Sequence, residues 1–161
     1  MTVNLVNLRS AKNAVIGNPS AKVQLARDPK FVANLVDCLN YPGERAEVRI
    51  EAAHVVASLS YGSDDALLAL LRAHAHHALL YALANFAKND LPPLRAAFAR
   101  ALRALAASVA DAVGPSQWGL GPTSTVAEHH AQDALEFLFL ASPSPSPIIN
   151  QIYDSYTAGI P

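Results

Sequence analysis

EAAHVVASLSYGSDDALLALLR, residues 51–72, is the stretch that decides the fold. Its first half belongs to a predicted helix over Glu44 to Tyr61, because apolar residues recur there at helical spacing. Gly62 ends that helix, since glycine readily adopts the left-handed conformation of a helix end. Ser63 then supplies an N-cap, and two aspartates favour the positive start of the next helix, which runs to Arg72.

The same layout occurs 45 residues earlier. A predicted helix over Val3 to Ile16 ends at Gly17, and Asn18-Pro19 precedes a short helix to Ala26. Gly17 and Gly62 therefore occupy equivalent positions of a 45-residue repeat. A period of about 40 to 47 residues is typical of armadillo and related helical repeats. The period thus predicts a stack of repeats.

Three further helices complete the pattern. Asp28-Pro29 begins the first of them, and Pro42-Gly43 ends it. The three predicted apolar stripes consist of Phe31, Leu35 and Leu39; of Leu79, Leu80, Leu83 and Phe86; and of Phe98, Leu102, Leu105, Val109 and Val113. Because strand patterns are scarce, we predict an all-α fold, an armadillo-type right-handed α-solenoid over residues 1–113. It would contain about two full repeats plus partial flanking repeats.

The C-terminal third departs from this period. Residues 114–122 are predicted to form a loop insertion around Trp118. Residues 123–161 are predicted to form an incomplete further repeat that contains a Ser-Pro loop at 142–147. Ile149, Ile152 and Tyr153 would then lie at an uncapped end of the stack, so we expect the chain to be part of a longer array.

Composition narrows the class of partner. Hydrophobic residues make up 52% and charged residues 16%, with a net charge of -1 and a pI near 6.6. This balance argues against nucleic acid and anionic membranes as partners, because both attract basic surfaces. The longest apolar stretch, Phe98 to Val113, contains charges and is shorter than the ~20 residues of a membrane span. A single cysteine, Cys38, in an apolar segment fits a reducing compartment and a place in the core.

Side chains able to carry chemistry are present without a recognisable arrangement. His74 and His77 lie three positions apart on a predicted helix, and His129 and His130 adjoin acidic residues. Neither pair has the spacing of a known zinc motif, so we predict no metal site and no cofactor. Serine-hydrolase and phosphate-binding glycine motifs are also absent from the sequence. We therefore predict no catalytic residues and no small-molecule substrate.

Two segments resemble one protein family. LRSAKNAVIGNPSAKVQLA, residues 8–26, resembles the N-terminal repeat of the armadillo subunit of the GID/CTLH E3 ubiquitin ligase, and AKNAVIGN is its most specific part. AEVRIEAAHVVASLSYGSDDALLALLRAHAHHALLYAL, residues 46–83, is similar to the next repeats of that family. The two segments lie within residues 8–83, which make up about half of the chain.

The resemblance implies a scaffold that is not an enzyme. The family links the core of a multisubunit ligase to the receptors that capture degradation substrates, while separate RING subunits transfer ubiquitin. The implied partners are protein subunits of such a ligase, and the implied location is cytoplasm and nucleus.

One alternative shares the fold, namely an armadillo peptide-binding adaptor of the nuclear-import or catenin-like class. Import receptors use a tryptophan and, four residues later, an asparagine on the third helix of each repeat. The corresponding positions here are His54 and Ser58, and one repeat earlier Arg9 and Asn13. Only Asn13 keeps that pattern, and Arg9 would repel a basic peptide. We take these four residues as the predicted protein-binding groove.

A small enzyme or ligand-binding helical domain is a second alternative, which would need a closed core and a pocket.

Overall fold

The computed structural model describes residues 2–86 and 90–113, and these residues contain helices and no strand. The helices are α1 (Leu5–Val15), α2 (Pro19–Ala26), α3 (Pro29–Asn40), α4 (Ala46–Leu59), α5 (Asp64–Arg72), α6 (Ala75–Ala84) and α7 (Pro92–Val113). The all-α prediction is therefore confirmed for the part of the chain that the structure describes. The chain divides at Ser108 into two units, and the packing given below is that of the first.

Four helices begin at a side chain that accepts a hydrogen bond from the first helical turn. The oxygens of Asn4, Asn18, Asp28 and Ser63 accept from the backbone N–H three residues later, at 2.8, 3.1, 3.0 and 3.2 Å. Such bonds satisfy amides that have no partner within the helix. The helix starts predicted at Asp28 and Ser63 are thereby confirmed, and α2 begins slightly before the predicted Ser20, with Asn18 as its cap.

Glycines end the two equivalent helices. Gly17 has φ +67° and Gly62 has φ +79°, both in the left-handed region. A side chain at these positions would strain the backbone, which is why glycine is found there. The sequence period thus corresponds to two left-handed glycines, each one or two residues after the C-cap of its helix.

Each of the first three helices packs against the helix three places further along the chain. The pairs are α1 with α4, α2 with α5, and α3 with α6, and α3 also packs on α4. The largest fully buried side chains are Phe31, Phe98, Leu8, Leu35, Leu39, Leu59, Leu67, Leu70, Leu71, Leu79, Leu94 and Leu105. These side chains come from α1 and from α3 through α7, so helices from the beginning to the end of this unit contribute to its core.

Two members of the predicted stripes lie elsewhere. Leu80 is 52% exposed, because it follows the buried Leu79 and adjacent residues point to different sides of a helix. Phe86 lies beyond the last residue of α6, Ala84, and still contacts Phe98 with its ring. Leu79 is buried and Leu83 is half-buried, so this predicted stripe was correct at Leu79 and wrong at Leu80.

Some predictions fall outside the described residues. They are the loop insertion at 114–122, the incomplete repeat at 123–161 with its Ser-Pro loop, and the pair His129 and His130. Among the described residues no single helix is long and apolar enough to cross a membrane. Only α5 and α6 taken together meet that test of length and composition, and they bend by 58° at their junction.

Candidate functional site

The predicted groove residues lie on the paired helices α1 and α4. Arg9 and Asn13 share one face of α1, and His54 and Ser58 share one face of α4, because residues four apart are neighbours on a helix. The structure adds a residue that the sequence did not single out. Glu51 of α4 lies between the two helices, with its carboxylate 3.5 Å from Nε of Arg9 and 3.7 Å from Nδ1 of His54.

Lys12 provides the closest partner of this carboxylate. Its Nζ donates a hydrogen bond of 2.7 Å to Oε2 of Glu51. The Lys12 and Glu51 side chains are 24% and 13% exposed, so water screens this ion pair less than it would a fully exposed one. We refer to Arg9, Lys12, Glu51 and His54 as the Glu51 cluster.

The pKa of Glu51 reflects two opposing influences. Burial raises the pKa of this carboxyl, whereas the Lys12 hydrogen bond and the charges of Lys12 and His54 lower it. The net pKa lies below its ordinary value of 4.5. A carboxylate held in its charged form by two or three cations is a poor proton acceptor near pH 7. The arrangement therefore suits structural pairing and surface recognition better than acid–base catalysis.

Replacing Glu51 with glutamine is expected to lower the free energy of unfolding by about 1 kcal/mol at pH 7, because Lys12 loses a charged acceptor. The native pKa is lowered, so the contribution is complete above pH 4.5 and disappears as the pH falls through the native value. Urea denaturation of both proteins between pH 3 and 7 measures the difference.

Glu47→Gln is the matched control, since Glu47 is exposed on the same helix. It should leave the free energy of unfolding within about 0.5 kcal/mol of the wild type. A Glu51→Gln penalty that stayed constant down to pH 3 would contradict the assigned ion pair.

The remaining groove residues differ in accessibility. Asn13 is exposed, whereas Ser58 is only 8% exposed and offers almost no surface to a partner. Arg9 keeps 58% of its side chain exposed although it approaches Glu51. The accessible part of this face is therefore formed mainly by Arg9 and Asn13.

A second group of side chains lies at the junction of α5 and α6. One ring nitrogen from each of His74, His76 and His77 lies within 4.8 Å of those of the other two. We refer to these three residues as the histidine cluster. Burial, and then the nearby His77 and His74, lower the pKa of His76 from 6.5 to about 4, so its imidazole is neutral at pH 7.

His76 carries an unusual polar atom. Its Nδ1 is buried and has no hydrogen-bond partner. A buried polar atom without a partner costs about 1–3 kcal/mol, and most such atoms in native proteins are paired. Of the described residues that could ligate a metal, this cluster is the group of three whose ligand atoms converge.

Helical spacing did not indicate this arrangement, for a local reason. His74 was predicted to lie on the same helix as His77, whereas it precedes α6 with φ +60°. The left-handed backbone brings its ring beside that of His77, with centroids 5.3 Å apart and planes inclined by 19°. The run His-Ala-His-His itself was the available signal, because it places three imidazoles within four residues.

Cys38 is buried in α3, as its apolar segment predicted. Burial, followed by the charge of Glu44, raises the pKa of the Cys38 thiol to about 11. The thiol is therefore protonated at pH 7 and unreactive as a nucleophile.

Comparison of the whole chain with known protein families, with curated proteins and with solved structures found no match. The two clusters described above and the order in which the helices pack are thus the observations from which a function is inferred.

Proposed function

We propose that this chain is a non-catalytic armadillo scaffold subunit of a GID/CTLH-type E3 ubiquitin ligase, which links the ligase core to substrate receptors. The observation that carries the proposal is the packing of α1 on α4, of α2 on α5 and of α3 on α6, with left-handed glycines 45 residues apart. Three helices per repeat, each repeat packed on its neighbours, are the features of an armadillo array. In that interpretation α2 to α4 and α5 to α7 are two repeats, and α1 is the last helix of a preceding one.

The surface of α1 and α4 supports a role in protein binding. In the proposed array these are the third helices of successive repeats, whose exposed side chains face a partner. The Glu51 cluster holds one carboxylate against Arg9 and Lys12, with His54 also within 3.7 Å, so within the cluster the basic side chains outnumber the acidic one. An extended segment with acidic or neutral side chains is the partner that complements it.

This charge also favours the scaffold over the import adaptor. A basic import peptide would have to approach the exposed Arg9 and would lack the tryptophan that normally holds it. The proposal of this particular ligase complex rests on AKNAVIGN, residues 11–18, which resembles the armadillo subunit of the GID/CTLH ligase. This segment runs from the end of α1 to just before α2. The partners are therefore ligase subunits in the cytoplasm and nucleus, and the chain itself binds neither nucleic acid nor membrane.

Affinity purification of the tagged full-length protein from its own cells, with quantitative mass spectrometry, tests the proposal. RING and CTLH-type ligase subunits should be recovered at stoichiometric levels. Arg9→Glu is expected to reduce their recovery about tenfold, because it places a like charge before an acidic segment.

Arg27→Glu serves as the control, since Arg27 is also exposed but lies at the end of α2, outside the Glu51 cluster. It should recover the same subunits as the wild type. Recovery of import cargo or of cadherin-type tails in place of ligase subunits would refute the proposal and favour the peptide-binding adaptor.

A further inference from the structure

The histidine cluster has the composition of a metal site. His74, His76 and His77 each offer one imidazole nitrogen, and these nitrogens lie within 4.8 Å of one another. Ring centroids are 4.3 Å apart for His76 and His77, and 6.2 Å apart for His74 and His76. Three imidazoles that converge in this way are a common first coordination set for zinc.

The backbone brings these rings together by an unfavourable conformation. His74 has φ +60° and ψ +35°, a left-handed geometry that only a few per cent of residues other than glycine adopt, with asparagine, aspartate and histidine enriched among them. It also stands at the N-cap of α6 without forming a side-chain capping bond. Glycine, asparagine or aspartate would suit the position better on both grounds. What histidine adds at this position is an imidazole ring that lies beside the ring of His77.

His76 supplies a second, independent observation. Its Nδ1 is buried within the described structure and has no hydrogen-bond partner. A metal ion bound through Nδ1 would give this atom the partner that it lacks. A nitrogen without a hydrogen-bond partner is free to serve as such a ligand.

We propose that His74, His76 and His77 form a three-histidine binding site for a divalent transition-metal ion, with Zn²⁺ as its occupant. Neutral imidazoles favour zinc over calcium or magnesium, which prefer oxygen ligands. Zinc–nitrogen bonds of about 2.0–2.1 Å require the three nitrogens to approach to about 3.3 Å, which rotation of the exposed His74 and His77 side chains allows. The fourth tetrahedral position is left for water or for a ligand from a partner protein.

The surroundings oppose the ion only weakly. The amino end of α6 is positive and disfavours a cation, whereas the carboxyl end of α5, which ends at Arg72, is negative and favours one. The two helix ends meet at the cluster, so their fields largely cancel. Arg72 carries the positive charge nearest to the cluster in sequence. Because Arg72 is exposed, water and salt screen its repulsion of the metal ion.

Isothermal titration of the chelator-treated full-length protein with Zn²⁺ at pH 7.5 tests the proposal. The wild type should bind one Zn²⁺ per chain through this site. His74→Asn and His77→Gln should each weaken binding about 100-fold or more, because even residues behind a ligand affect affinity by 10- to 100-fold. Asparagine tolerates the left-handed backbone, so His74→Asn removes the ligand without disturbing the fold.

Two controls distinguish this site from the other histidines. His54→Gln and the double variant His129→Gln/His130→Gln should bind Zn²⁺ as the wild type does. Co²⁺ in place of Zn²⁺ should give the visible spectrum of a four-coordinate ion in the wild type and lose it in His74→Asn/His77→Gln. Failure of the wild type to bind, or equal binding by the His74 and His77 variants, would overturn the proposal.

Discussion

Replacing Phe98 with alanine is expected to lower the free energy of unfolding by about 3–5 kcal/mol. The Phe98 side chain is completely buried in α7. Its ring centroid lies 5.9 Å from that of Phe86 and 5.4 Å from the guanidinium carbon of Arg49 in α4. Alanine removes these contacts and leaves a cavity, and the two effects add. Urea denaturation of the full-length protein, followed by far-UV circular dichroism, measures the loss.

Tyr81→Ala is the matched control for this substitution. Tyr81 is also an aromatic residue on a helix, but it is 64% exposed. Its replacement should change the free energy of unfolding by less than about 1 kcal/mol, since little area is buried. Equal effects of the two substitutions would contradict the burial of Phe98 in the core.

Replacing Lys22 with glutamate is expected to cost about 3 kcal/mol or more. Lys22 is only 2% exposed, and its Nζ donates a hydrogen bond of 2.6 Å to the backbone oxygen of Tyr61. The same nitrogen lies 4.0 Å from the centroid of the Tyr61 ring. A carboxylate there would face a carbonyl oxygen and the negative face of an aromatic ring, with little water to solvate it. Thermal and urea denaturation measure the change.

Two further variants separate charge from packing at this position. Lys22→Met keeps the apolar stem and loses the donor, so its cost should be smaller, about 1–2 kcal/mol. Lys30→Glu makes the same charge change at an exposed site of α3 and should be nearly neutral. If the Lys22→Glu protein were as stable as the Lys30→Glu protein, that result would contradict the buried environment described for Lys22.

Burial also makes the contribution of Lys22 depend on pH. It lowers the pKa of the Lys22 ammonium below its ordinary value of 10.5. Between the lowered native pKa and 10.5 the unfolded chain binds the proton and the native protein does not, so stability rises with pH in that window. The rise should be present in the wild type and absent from Lys22→Met.

Local signals in the sequence predicted most of the helix boundaries. Asn18, Asp28 and Ser63 accept hydrogen bonds from amides only three residues away, and Gly17 and Gly62 end helices through their own φ angles. Such features depend on a few consecutive residues, so they are visible without the rest of the chain. The apolar stripes were visible for the same reason, apart from Leu80, whose exposure depends on which neighbour α6 packs against.

The candidate sites were predicted less completely. Arg9 and His54 were identified as groove residues, but Glu51, the carboxylate that both approach, was not. An isolated glutamate on a helix carries no signal in the sequence when its cationic partners, here Arg9 and Lys12, come from another helix. His76 was missed because its neighbour His74 leaves the helical conformation, which no helical spacing rule anticipates.

By itself the sequence determined the helices, their ends, the 45-residue period and the apolar faces that must be buried, since all of these follow from short-range hydrogen bonds and side-chain spacing. Only the tertiary structure decided which polar groups from different helices come into contact. Lys12 with Glu51, and Lys22 with the Tyr61 carbonyl, are both pairs separated by 39 positions. Their contact depends on how α1 packs on α4 and α2 on α5, and that alignment is set by the fit of whole helix surfaces.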